Sequence, residues 1–318
     1  MAFLSSRRRR ARVVLEFDDA ALGRLLKSLQ ATASTGTIGT MDLFMAQVSR
    51  LLDQSRVDWD RRTHQLSVLA YHLSESHGPR AWAAREPRNT SALVLSAWAQ
   101  LERGRSRGSL EDAAGIVDSC RRAAELAPED PTPWVVLLGL SRLERRGQPE
   151  VFSLWNEVLT RDRWNREAHL SMLRYLGREE MGSRIQVLDF VEAVRARTPA
   201  NAPCAATELT AQVLQYQSVL TRGGVEALLA RHHWSHASAA QALDRAAHIW
   251  ARPGFFHHAA ALADLNLLAY ALVAAERRGE ARPVFEAING MVAAWPWSVG
   301  GDPVSEFEKA RIRSGAGV

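Results

Sequence analysis

Lysine is almost missing from this chain. Lys27 and Lys309 are the only two in 318 residues, so nearly all of the 40 basic side chains are arginine. With abundant alanine and glycine, that usage reflects a GC-rich bacterial coding sequence more than a function. Cysteine is equally scarce. Cys120 and Cys204 are too few and too far apart for a disulfide framework, which points to reduced core thiols in a reducing cytoplasm. Nor does any apolar run approach the ~20 residues that span a bilayer. After the first arginines, only Val13, Val14, Leu15 and Phe17 are apolar before Asp18-Asp19, short of the hydrophobic region of a signal peptide. The expected location is the cytoplasm, with no membrane span.

The motifs of chemistry are missing too. Gly36-Thr37-Ile38-Gly39 lacks the length and the lysine of a phosphate loop, and no nucleophile elbow occurs. A di-iron helical site needs Glu-x-x-His pairs, whereas Glu75 precedes His77, and Glu167 precedes His169, by only two positions. The sequence therefore nominates no catalytic residue and no cofactor.

The formal charge is +5, and Arg7, Arg8, Arg9, Arg10 and Arg12 account for all of it. The body is neutral, without the electrostatic footprint of a DNA-binding domain, so any polyanion binding falls to this arm.

What the chain does have is helical periodicity. With 47% apolar residues it can bury a core, and no alternating strand pattern of useful length appears. Residues 1–17 read as a basic arm continuing into a short extended segment, 18–90 as an N-terminal helical region, and 91–318 as repeated helix pairs with a C-terminal capping helix. In the N-terminal region, Asp18 or Asp19 caps a helix through Leu29, residues 31–40 break it, and 79–90 form a connector around Trp82.

Residues 109–176 are the clearest stretch. Ser109 with Asp112 resembles a capping box, and Ile116, Cys120 and Ala123 then lie on one face. Thr132-Pro133 opens the next helix, whose residues Trp134, Val135, Val136, Leu137 and Leu138 are apolar on more than one side. Gln148-Pro149 starts a third and Asn165 caps a fourth.

Leu126-Ala-Pro-Glu-Asp-Pro and Leu159-Thr-Arg-Asp-Arg-Trp lie 33 residues apart in equivalent places. From Thr132, the residues Leu138, Gly139, Val151, Trp155 and Val158 fall at the packing positions of a tetratricopeptide repeat, whose period is near 34. Leu265, Leu268, Ala269, Leu272, Ala281, Phe285 and Ile288 keep the same offsets, and Phe190 and Ala193 fit after one insertion. Arg142 and Arg163 depart from the pattern, standing where an aromatic and a proline are usual. The chain thus resembles a degenerate tetratricopeptide-like protein over about half its length. It is also similar to actinobacterial helical-repeat proteins with no assigned activity, in which phrases such as Pro-Glu-Asp-Pro-Thr-Pro-Trp and Asn-Arg-Glu-Ala-His join helices.

The resemblance implies an all-α solenoid of stacked antiparallel helix pairs, a non-catalytic scaffold that binds another protein or peptide. On its frame the first helix of each pair would offer Arg142, His169, Arg174, Asn266 and Tyr270 to that partner. Two alternatives stand beside it. Six of the ten histidines lie within residues 232–258, and His232 with His236 at i,i+4 would offer a metal two ligands of an all-α enzyme, against the plainer reading of histidines at helix ends. The arginine arm would make the chain a nucleic-acid accessory protein.

Overall fold

The computed structural model describes residues 10–35 and 38–316, and the chain is all-α. It divides into two compact units, Asp18–Phe190 and a second one that joins the segment ending at Phe17 to Val191–Val318.

The first unit contains α1 (Ala20–Thr35), α2 (Ile38–Gln54), α3 (Trp59–His72), α4 (Gly78–Arg85), α5 (Thr90–Arg107), α6 (Ala113–Leu126), α7 (Thr132–Leu143), α8 (Gln148–Arg161) and α9 (Arg166–Tyr175), and α10 (Arg184–Arg197) begins in it. Several starts differ from the sequence reading. The 79–90 connector holds the two-turn α4, because Pro79 sits in the first turn, where a missing N–H costs nothing, and Trp82 is buried. The helix expected at Ser109 begins at Ala113, where Asp112 accepts from Gly115 N at 2.8 Å. Thr132 opens α7, but the capping acceptor is Asp130, which takes both its amide (2.8 Å) and its hydroxyl (2.6 Å). The break expected over 31–40 is shorter, since α1 runs to Thr35 and α2 starts at Ile38.

Helices α5 and α7 are apolar nearly all round and buried to match; α5 packs on α3, α4, α6 and α7, and α7 on α5, α6, α8 and α9. Helices α6 and α8 bury one stripe each, Ile116, Cys120 and Ala123 on the first and Val151 and Val158 on the second.

Two adjacent residues of α3 gather the helix starts. Arg62, 2% exposed, bridges Asp130 (3.0 Å) before α7, donates to Ser91 Oγ (3.1 Å) at the start of α5, and reaches Leu52 O of α2 (3.3 Å). Next to it, Thr63 Oγ1 accepts from Asn165 Nδ2 (3.4 Å), and Asn165 caps α9 through Ala168 N. The N-terminal ends of α5, α7 and α9 therefore converge on one turn of α3, so the three helices point the same way. Their C-terminal ends form the far edge.

The second unit contains α11 (Thr207–Arg222), α12 (Gly224–Leu229), a 3-10 helix (Ala230–Ser235), α13 (Ala237–Ile249), α14 (Ala261–Ala274), α15 (Arg278–Ile288), the four-residue α16 (Ala294–Trp297) and α17 (Pro303–Arg313). Its core centres on α14, where Leu267, Leu268, Ala269, Ala271 and Leu272 are almost fully buried, and Phe285, Trp297 and Phe307 close over it with ring centroids 5.1–6.1 Å apart. The extended segment after the arginines is β1 (Arg12–Val13), paired in parallel with β2 (Met291–Val292). Ala11 and Val14 are buried by that pairing while Arg10 and Arg12 are exposed.

Among the described residues no helix is long and apolar enough to cross a membrane.

Candidate functional site

Each of α5, α7 and α9 carries an arginine in its last turn: Arg105, Arg142 and Arg174. A cation there complements the negative end of the helix dipole, and that alone explains single residues. It does not explain how they are laid out. Arg105 lies across Gly139, where an added Cβ would stand 2.8 Å from its Nη2, and Gly139 is one turn before Arg142. Arg142 in turn lies across α9 and donates from Nη1 to Ser171 Oγ at 3.3 Å, and Ser171 is one turn before Arg174. Arg105 and Arg142 thus each cross to the next helix over a small residue one turn below that helix's own arginine. The result is a ladder of guanidinium groups along the C-terminal edge.

Two rungs are held by the chain's own carboxylates. Glu102 pairs with Arg105 at 2.6 Å and accepts from Trp98 Nε1 at 3.2 Å. Glu180, in the turn after α9, takes both the Nε (3.0 Å) and the Nη2 of Arg142, the fork-on-fork contact that suits arginine to carboxylates. The third rung differs. Among the described residues Arg174 has neither a hydrogen bond nor an ion pair, although its side chain is exposed. Its proton affinity is held below the ordinary arginine value, first by loss of surrounding solvent and then by the like charge of Arg142, with Arg105 and Arg166 adding to it against the opposing charge of Glu167. Arg174 is thus an exposed guanidinium in a neighbourhood of predominantly like charge.

The hollow between α4 and α5, lined by His77, Pro79, Arg80, Gln100 and Arg103, offers less, because Arg103 already donates to Ser74 O (2.6 Å) and Ser76 O (3.4 Å).

Of the residues nominated by the sequence, Arg142 and Arg174 come together on this edge. His169 belongs to the interior: it is 3% exposed, its Nδ1 lies 2.8 Å from Asn165 O, and Trp155 and Phe190 flank its ring. Burial lowers its pKa, against a raising contribution from the Asn165 carbonyl. Asn266 and Tyr270 lie in the second unit and share Trp297. Asn266, fully buried, accepts from Trp297 Nε1 (3.0 Å) and donates to Leu262 O and Met291 O, while Tyr270 packs edge-on against Trp297 and beside Tyr216. His232 and His236 do not share a helix face, because the 3-10 helix ends at Ser235 and His236 is the extended residue before α13. Among the described residues no group of three His, Cys, Asp or Glu is placed to hold a metal ion. Arg7, Arg8 and Arg9 lie outside the described residues.

The sequence reading passed over Arg105, Gly139, Ser171 and Glu180 as members of a site. The available signal was an arginine one or two places before the end of each alternate helix, above a glycine or serine. No family model, no curated protein and no solved structure matches the chain.

Proposed function

We propose that the chain is a cytoplasmic, tetratricopeptide-like α-solenoid that binds another protein or a peptide without catalysing a reaction. The observation that carries this reading is the edge of α5, α7 and α9, where aligned helices bring arginines together and Arg174 has no ion pair among the described residues. Alternate helices pack on one another as well as on their sequence neighbours, which is the layering expected of stacked pairs. Arginine is among the residues that dominate protein-binding hot spots.

The test is site-specific photo-crosslinking in the source cells, with the reactive residue at position 174 and, separately, at exposed Arg121 on α6. A reproducible partner crosslinked from 174 and not from 121 is the expected result. No reproducible protein adduct from 174 would overturn the reading.

A further inference from the structure

We infer that the Arg174 rung takes a carboxylate side chain from an acidic segment of the partner, an inference that rests on the peptide-binding reading above. Each of the two lower rungs shows what this edge accepts. Arg105 is held by Glu102 and Arg142 by Glu180, both glutamates of the chain itself, and Arg174 is the next guanidinium in the same series, with no such group on it among the described residues. A carboxylate arriving from outside would meet the same forked donor while offsetting the repulsion among Arg105, Arg142 and Arg174. Charge complementarity also selects the class of polyanion. Glu102 and Glu180 lie on the same edge as the arginines, so a continuous phosphate backbone would meet carboxylates along it, whereas an acidic peptide presents separate groups that fit between them.

The probe is a fluorescein-labelled peptide of eight glutamates, compared by fluorescence anisotropy with one of eight glutamines, using the full chain. Binding of octaglutamate is expected, with little binding of octaglutamine and a steep loss as salt rises. Arg174→Gln is expected to weaken octaglutamate about ten-fold, and Arg174→Lys less, since a point charge replaces a fork. Arg121→Gln, at an exposed arginine of α6, is expected to change nothing. Thermal melts of all variants check that they fold.

The inference is overturned by equal binding of octaglutamine, by no binding of octaglutamate, or by equal effects of Arg174→Gln and Arg121→Gln. A thymidylate oligonucleotide of equal charge that binds more tightly through Arg174 would overturn it in favour of nucleic acid. If the crosslinked partner persists while octaglutamate fails, only the carboxylate assignment falls; if both fail, the adaptor reading falls with it.

Discussion

The buried pair Arg62 and Asp130 sets the register on which the ladder depends. Both side chains are almost fully buried, at 2% and 3% exposure. Asp130 accepts from two Arg62 nitrogens on one oxygen and from Thr132 N and Oγ1 on the other. Asp130→Asn keeps an acceptor for Thr132 but removes the charge and sets an amide against the guanidinium, leaving Arg62 with Leu52 O and Ser91 Oγ alone. Orphaning a buried charge in this way costs roughly 3–5 kcal/mol. Arg62→Met orphans the carboxylate instead and falls in the same range. The double variant Arg62→Met with Asp130→Asn buries no charge and keeps the acceptor at the start of α7, so it is expected within about 2 kcal/mol of the natural protein and above both single variants. Hydrogen exchange in α3, α5 and α7 is the assay. At 1.4 kcal/mol per factor of ten, each single variant should lose protection about a hundred- to several-thousand-fold, and the double variant should recover most of it. Additive losses, or single variants within 1 kcal/mol of the parent, would refute the claim that charge pairing holds these helix ends together. The double variant is also expected to bind octaglutamate more weakly than the parent at equal stability, because a thioether in place of the Arg62 guanidinium no longer fixes where α5 and α7 begin.

Other outcomes follow from single positions. Gly139→Leu forces side-chain atoms into Arg105 Nη2 and into Leu101 Cδ2, which stands 3.0 Å from the added Cβ; melting should show a loss of roughly 1–3 kcal/mol. Because burial lowers the pKa of His169 on folding, the unfolded chain binds more protons just below about pH 6.5; stability should fall as pH drops through that value, and His169→Gln should flatten the urea-midpoint profile there. Asn266→Leu strands the Trp297 N–H and the Met291 carbonyl, at about 1–3 kcal/mol for each buried group, read as lost exchange protection in α14. Cys120 and Cys204 are both buried, and burial drives the Cys120 thiol's pKa upward, so a thiol reagent should react with neither in the native chain and with both after guanidinium denaturation.

What the sequence disclosed and what it withheld divide along the range of the forces involved. Asn165 was legible as a cap because it bonds an amide three residues on, within the same turn. Ser109 and Thr132 misled because Asp112 and Asp130 stood close by, and a carboxylate outcompetes a hydroxyl for a helix-end amide. The all-helical class was plain from periodicity, whereas the parallel pairing of Arg12–Val13 with Met291–Val292 joins segments nearly a chain length apart and leaves no local trace. The ladder lies between these cases. Arg142 was visible as a misfit at a position usually aromatic, but a misfit says only that the side chain is not packing there. Its destination depends on what the next helix presents one turn below Arg174, and on α3 holding both helices in register through Arg62 and Thr63. Residues whose role is set by a neighbour's register cannot be ranked by their own spacing. By the same reasoning, Gly139 and Ser171 belong to the site as much as the arginines do: the glycine leaves room for Arg105 to cross, and the serine accepts from Arg142 where it crosses.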